Sequence, residues 1–370
     1  MKAAICYAYG EPLVVEEIEL DAPKAGEVRV RLAAAAICHS DVHLIRGDWR
    51  MDFPEMNGEQ TVGLVAGHEA AGVVEEVGED VTNVEPGDHV VISLLRSCGH
   101  CFFCATGETH LCENDYALKT ETRMRTARGE PLFQAINTSA FADESVVDQS
   151  QLVPIPKDVP LDSAALLACG VITGLGAVVN TAGVRPGSSV VVIGCGGVGL
   201  NSVQGARLAG AYPIIAVDLL DNKLEAARQF GATHTINTSR ESNPAEIVRE
   251  LTHGRGADYA FVTVGVAKPV SQAIDMVRRG GCVTMVGIPE TEATIPLSIR
   301  NSVGQNIRLL GSSMGSTRLS VDVPRLVDLY RNGRLLLDEM VSNRYPLEQI
   351  NEAIESMERG EALRNVVVFQ

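Results

Sequence analysis

Apolar and polar positions divide the chain into two kinds of pattern. From about residue 161, short apolar runs alternate with stretches of helical period. The apolar run 188–193 is followed by a helical pattern from Val198 to about Leu208. A second apolar run, 213–217, then ends in Asp218. Further strands are expected at 234–236, 259–264, 283–286 and 307–310, with helices around 223–230, 244–251 and 270–277. Strict alternation of this kind predicts the α/β class, with a doubly wound parallel sheet. Residues 161–180 read as one helical stretch of small residues. The first 150 residues differ. Short Val-rich runs at 27–32, 71–77 and 89–92 are separated by turn signals such as Glu85-Pro86-Gly87-Asp88, which predicts a compact β-barrel or sandwich. Residues 113–138 are polar and lack a period, so a long surface loop is expected there. Near the C-terminus, helices are expected at 321–331 and 347–358, followed by an apolar run at 366–369.

Gly194-Cys195-Gly196-Gly197-Val198-Gly199 sits between the first strand and helix of the α/β part. In such a G-x-G-x-x-G turn the first glycine makes the turn, the second admits a pyrophosphate, and the third lets helix and strand pack closely. The following helix N-terminus offers free N–H groups to phosphates. Asp218 lies about 20 residues on, where a carboxylate accepts from a ribose 2′-hydroxyl. A 2′-phosphate would be repelled there, so the motif points to NAD rather than NADP.

Composition narrows the picture. The chain has 370 residues, room for two domains, and 47 acidic against 31 basic side chains give a net charge of −16. That balance argues against nucleic acid and anionic membrane as partners. No apolar stretch approaches a membrane span, and the N-terminus lacks a signal-peptide layout, so a cytoplasmic protein is expected.

Nine cysteines without an export signal suggest metal binding over disulfides. Cys98, Cys101, Cys104 and Cys112 fall within fifteen residues. Four thiolates close a tetrahedral zinc shell with no position left for substrate, the pattern of a structural site; an iron–sulfur cluster is the alternative. Cys38, His68 and Cys169 are scattered, and spacing alone does not connect them. Two thiolates and one imidazole would leave zinc an open position. Cys6, Cys195 and Cys282 read as packing residues.

Gly67-His68-Glu69 with Ala70-Ala71-Gly72, the thiol cluster and the glycine unit occur in one order along the whole chain. Together they resemble the zinc-dependent medium-chain alcohol dehydrogenase family. The 113–138 segment, followed by Asn137-Thr138-Ser139-Ala140-Phe141, resembles its longer subgroup of liver-type alcohol and thiol-dependent formaldehyde dehydrogenases. The resemblance implies a GroES-like catalytic domain over 1–170 with a structural zinc lobe, a Rossmann domain over 171–313, and a return to the catalytic domain over 314–370. It implies a cleft between domains, two zinc ions per subunit, NAD as cofactor, and a homodimer, with a tetramer as the other state.

By the same resemblance, Cys38, His68 and Cys169 are the catalytic zinc ligands. Asp41 is the acid that bonds the histidine ligand, and Glu69 the neighbouring glutamate. Ser40 and His43 form the proton relay. Trp49 and Leu94 line the substrate pocket. On the cofactor side stand Val198, Asp218 and Lys223, with Thr173 under the nicotinamide, Val264 and Val286 at strand ends, and Arg364 at the pyrophosphate. His39 replaces an arginine frequent in liver-type members, which would loosen the pyrophosphate and speed cofactor release.

The implied activity is reversible hydride transfer between a primary or aromatic alcohol and NAD. One rival is oxidation of an S-hydroxymethyl thiol adduct, with Arg123, Arg125 and Arg128 available for a thiol's carboxylates. The other is a non-catalytic NAD(P)-binding relative, which would be expected to lose its zinc ligands; metal content separates the two.

Overall fold

The computed structural model describes residues 1–49 and 52–369. The chain forms two compact units, Met1–Cys169 with Arg318–Gln370, and Gly170–Thr317.

The first unit is built on the ten-residue strand Glu27–Ala36. Val28, Val30 and Leu32 point inward, Arg29 is half-buried and Arg31 is exposed, the two-residue alternation of a sheet with one wet face. The strand pairs antiparallel with Glu69–Val77, Glu144–Asp148 and Arg364–Val368. Leu152–Ile155, His89–Ile92 and Val341–Tyr345 complete seven strands. A five-stranded sheet runs in the order Phe133–Gln134, Leu64–Val65, Lys2–Cys6, Val14–Leu20, Met124–Thr126. Gly72 lies where only hydrogen fits, because a Cβ there would meet the Arg31 carbonyl oxygen at 2.2 Å. Ala34, Ala35 and Ala36 are all buried, and their small side chains carry the end of the strand through packed surroundings.

The expected surface loop holds only in part, since residues 127–130 are exposed and outside any helix or strand while other stretches are structured. Residues 113–138 contain a 3-10 turn, Ala117–Lys119, and the strands Met124–Thr126 and Phe133–Gln134. Met124 and Leu132 are fully buried and join Ala3, Ile5 and Val65 in a small core. Alternation over two or three residues is too short to stand out from a polar background, so these strands leave no periodic signal.

The second unit is a six-stranded parallel sheet: β1 Val190–Ile193, β2 Ile214–Asp218, β3 His234–Asn237, β4 Ala257–Val262, β5 Val277–Met285 and β6 Arg308–Gly311. The order is β3-β2-β1-β4-β5-β6, with the chain reversing direction across the sheet at β1 and β4. All four residues of β1 are buried, as expected of a strand covered on both faces. Helix α1, Gly197–Leu208, follows β1. The unit ends after Thr317 rather than after residue 313. The turn Met314–Ser316 packs on the helix Gly170–Gly176, where a Cβ on Gly176 would meet the Gly315 carbonyl oxygen at 2.4 Å.

The expected helix over 161–180 is broken. Helix Leu161–Ala165 tightens into the 3-10 turn Leu166–Ala168, Cys169 leaves helical geometry at φ −144° and ψ −64°, and a helix resumes at Gly170–Gly176. No single described helix is long and apolar enough to cross a membrane.

Candidate active site

Three separate pieces of the first unit bring Cys38, His68, Glu69 and Cys169 together. Their ligand atoms lie within 4.8 Å of one another, and all four residues are buried. Cys38 caps the helix His39–Arg46 in extended geometry. Gly67 turns the chain at φ +94°, where a Cβ would meet Phe141 at 2.7 Å, and so delivers His68 at the head of Glu69–Val77. Cys169 occupies the helix break, and the Ala168 carbonyl beside it accepts from the Ser93 hydroxyl at 2.7 Å.

Asp41 organises the cluster from full burial. Its Oδ2 accepts from the Cys38 amide at 3.2 Å, and its Oδ1 accepts from the Gly67 amide and from His68 Nδ1, each at 2.9 Å. A carboxylate can only accept here, so Nδ1 carries a proton, and a metal at the site would take Nε2 with that nitrogen's own proton released. His68 Nε2 is buried without a hydrogen-bond partner, as are Glu69 Oε1 and Arg364 Nε. Each such atom costs about 1–3 kcal/mol if nothing meets it. Of these, the His68 nitrogen and the Glu69 oxygen are electron-pair donors, and beside the Cys38 and Cys169 thiols they fit a cation. Thiolate and imidazole donors suit zinc.

The site's charges are set by its members. The hydrogen bond from Cys169, against the cost of burial, together with the positive His68 ring holds Cys38 well below the ordinary thiol range. Burial pulls the His68 ring down, but Asp41 and the Cys38 thiolate outweigh it and hold it well above the usual histidine range. Burial pushes the Glu69 carboxyl up to about 7, against the pull of Arg364. Glu69 Oε2 and Arg364 form a buried ion pair within this unit. Arg364, expected at the pyrophosphate, is thus committed to Glu69 in this structure. Sequence spacing gave no sign of this pairing, which links residues 295 positions apart.

Ser40 and His43 lie three residues apart on the same helix, which puts them on one face. His43 Nδ1 pairs with Asp48 Oδ2 at 2.7 Å. Asp48 is brought back by the left-handed turn at Gly47, and its amide donates to the His43 carbonyl. Sequence reasoning missed Asp48, since an acid five residues past a histidine matches no pattern. Trp49 packs on the unit's core with its ring 6.1 Å from that of His43. Leu94 is half-buried, its carbonyl accepting from Asn137 Nδ2 at 3.1 Å. His39 is exposed.

The second thiol cluster is self-contained. Cys98 and Cys104 sulfurs are 4.0 Å apart and those of Cys101 and Cys112 3.9 Å, too far for disulfides. A tetrahedron with metal–sulfur bonds of about 2.3 Å has edges of about 3.8 Å, so this spacing suits zinc. Backbone amides of Cys98, Cys101 and Cys104 point at sulfurs of the set at 3.3–3.5 Å. Such bonds lower Cys101 to about 6, whereas burial pushes Cys104 up to about 12.

In the second unit the glycine turn is shaped for a phosphate-bearing ligand. Gly194 has φ +91°, and a Cβ there would strike Val264 at 2.4 Å. A Cβ on Gly199 would meet the Gly194 carbonyl oxygen at 1.8 Å, whereas one on Gly196 would project into open space. The pattern leaves room at the middle glycine, beside the N-terminus of α1, which begins at Gly197 and Val198. Asp218 closes β2, accepting from the Cys195 amide at 2.6 Å and from the Leu219 and Leu220 amides. Lys223 is buried behind it, and that burial lowers its ammonium. Thr263, which the sequence did not single out, donates to the Gly194 carbonyl at 2.7 Å and braces the turn. Val286 is buried, its amide donating to the Val262 carbonyl. The Thr173 hydroxyl lies 3.6 Å from the Met314 sulfur.

Comparison with known proteins agrees with this geometry. Residues 24–157 match the alcohol dehydrogenase GroES-like domain, and residues 197–332 match the zinc-binding dehydrogenase family. The chain is 39% identical to the NDMA-dependent alcohol dehydrogenase of Amycolatopsis methanolica, over 99% of this chain and 98% of that protein. It is 36% identical to the S-(hydroxymethyl)glutathione dehydrogenase of Saccharomyces cerevisiae, over 99% and 95%. The crystal structure of benzyl alcohol dehydrogenase from Acinetobacter calcoaceticus superposes with a TM-score of 0.91 at 29% identity, covering 100% of this chain and 99% of that one. With two zinc sites and a dinucleotide turn in place, the chain belongs to the zinc-dependent medium-chain alcohol dehydrogenase family.

Proposed function

We propose that this dehydrogenase oxidises primary or aromatic alcohols to aldehydes with NAD, using Cys38, His68 and Cys169 as the ligands of its catalytic zinc. The observation that carries the reading is the unpartnered, buried His68 Nε2 beside two thiols, its ring oriented by Asp41. Zinc held there supplies a Lewis acid that acidifies a coordinated hydroxyl and polarises a carbonyl. NAD held at the glycine turn supplies the hydride acceptor. Ser40 takes the alcohol proton, and His43, one helical turn on, passes it to solvent. Asp48 at Nδ1 leaves Nε2 as the nitrogen that exchanges the proton. Trp49 and Leu94 shape the alcohol pocket. Asp218 selects NAD over NADP by its charge.

The reading extends to assembly and setting. β6 is an end strand of its sheet, and the exposed Leu297, Ile299 and Val303 precede it, which supports a homodimer. None of the nine cysteines is joined in a disulfide, which suits a cytoplasmic setting.

The relatives that act on S-(hydroxymethyl)glutathione favour a second reading, oxidation of a thiol–formaldehyde adduct. Of the three arginines expected to serve it, only Arg128 is exposed, and Arg123 is not available. That side chain is 2% exposed and ion-paired with Glu27 at 2.6 Å and Glu121 at 2.9 Å. The Arg125 guanidinium donates to the Gly129 carbonyl. The test is the rate of NAD reduction with primary and aromatic alcohols, beside formaldehyde with and without low-molecular-weight thiols. Thiol-independent turnover of simple alcohols is expected. Turnover only with formaldehyde and thiol together would reverse the order of the two readings.

A further inference from the structure

The glycine turn follows the C-terminal end of β1, the usual ligand-binding edge of a parallel sheet. The opposite edge, where the strands begin, carries an unrelated concentration of positive charge. Arg255 precedes β4, Arg278 and Arg279 lie near the start of β5, and Arg308 opens β6. Arg249 ends the helix Pro244–Leu251 beside them, and Arg185 precedes β1.

These six arginines line two adjoining cavities. One, of about 620 Å³, takes Arg249, Arg255, Arg278 and Arg279; the other, of about 290 Å³, takes Arg185, Arg278 and Arg308. Arg278 belongs to both. The carboxylates among the lining residues are Asp275 in the first and Asp258 in the second. Six positive charges against two negative ones stand in a chain whose net charge is −16.

How the guanidiniums are held matters more than their number. Arg278 Nε meets Asp258 at 2.5 Å, and that pair is internally neutralised. Three of the others lean on uncharged partners. Arg249 donates to the Asp275 main-chain carbonyl at 3.0 Å, and Arg279 Nε donates to the Gln305 amide oxygen at 3.1 Å. Arg308 lies over the Tyr259 ring at 6.0 Å. A neutral acceptor fixes a guanidinium's position without cancelling its charge, so the remaining donors stay available to an anion.

We propose that this edge of the second unit binds a small polyvalent anion, one carrying two or more phosphate or carboxylate groups. The larger cavity has the volume of a small-molecule site. It is concave, walled by the helices Pro244–Leu251, Ala267–Met276 and Ile299–Gln305. A long polyanion such as nucleic acid would extend beyond it and feel the chain's net charge of −16, whereas a small anion feels mainly the local arginines within a Debye length of about 8–10 Å. The site is separate from the cofactor turn and independent of the alcohol substrate.

The test is calorimetric titration of inorganic tripolyphosphate, and separately of citrate, into the zinc-loaded enzyme saturated with NAD. Saturation keeps either probe from binding at the glycine turn. Binding is expected with a Kd of about 0.1–1 mM, weakening several-fold as NaCl rises from about 0.05 to 0.3 M. Tripolyphosphate alone binding identifies a phosphate ligand, citrate alone a carboxylate ligand, and both a site selecting on charge. The double variant Arg255→Gln/Arg279→Gln should weaken the bound probe by about tenfold while alcohol oxidation and melting temperature stay unchanged. Arg255→Gln alone, at an exposed side chain, should weaken it about threefold and serves if the double variant unfolds. Absence of binding by both probes, or equal affinity in the variants, overturns the proposal.

Discussion

The two thiol sites of the first unit are built on opposite principles. The Cys98–Cys112 lobe draws all its donors from fifteen consecutive residues, stays half-exposed, and satisfies its sulfurs with its own backbone amides. The Cys38–His68–Cys169 cluster draws donors from a helix cap, a strand start and a helix break, lies buried, and depends on Asp41, Glu69 and Arg364 around it. The lobe can close around a metal and do nothing more. The buried cluster, with two thiols and an orphaned imidazole nitrogen, is suited to hold a metal with one position open. Stability and catalysis should therefore separate when the two sites are changed one at a time.

The largest effect expected is on catalysis. Cys169→Ser should lower kcat for alcohol oxidation by more than about a thousandfold while NADH affinity, measured by fluorescence titration, stays within about twofold. Equal loss in a lobe variant would erase the contrast. Next comes metal retention. Asp41→Asn removes the carboxylate that orients His68 and should cost about 10–100-fold in zinc affinity at the buried site alone, read by chelator competition. The lobe zinc should remain.

Cys101→Ser should act on folding, lowering the melting temperature by several degrees, on the order of 1–3 kcal/mol, because closing the lobe around zinc contributes folding free energy. An unchanged melting temperature would argue against a structural role. The smallest effect is a slope. Zinc binding requires thiolates, and Cys104 is held up to about 12, so it must release a proton at any neutral pH. Lobe affinity should rise at least about tenfold per pH unit between about pH 7 and 9. Below about 6, where Cys101 also takes up a proton, the dependence should steepen. A flat chelator-competition profile would contradict this.

The contrast also explains what the sequence could disclose. The lobe was legible from spacing alone, because its geometry is local. So was the cofactor turn. The open space at Gly196 and the crowding at Gly194 and Gly199 are properties of a few consecutive residues. The buried cluster was legible only through family resemblance, since no periodicity joins residues 38, 68 and 169. The helical pattern over 161–180 even concealed the break that presents Cys169, because small apolar residues suit a continuous helix and a broken one equally. Arg123 looked like a surface cation in a polar segment, yet Glu27, nearly a hundred residues earlier, draws it into the core. The Arg364–Glu69 and His43–Asp48 pairs were hidden for the same reason: charges that meet through tertiary turns leave no trace in spacing.

The most direct test of the central claim, that the buried cluster holds the catalytic zinc, is zinc content measured together with alcohol oxidation in the wild type and in His68→Ala. The account predicts two zinc ions per chain in the wild type. It predicts one in the variant, with alcohol oxidation lost and NADH binding retained. Two zinc ions and undiminished turnover in His68→Ala would contradict it.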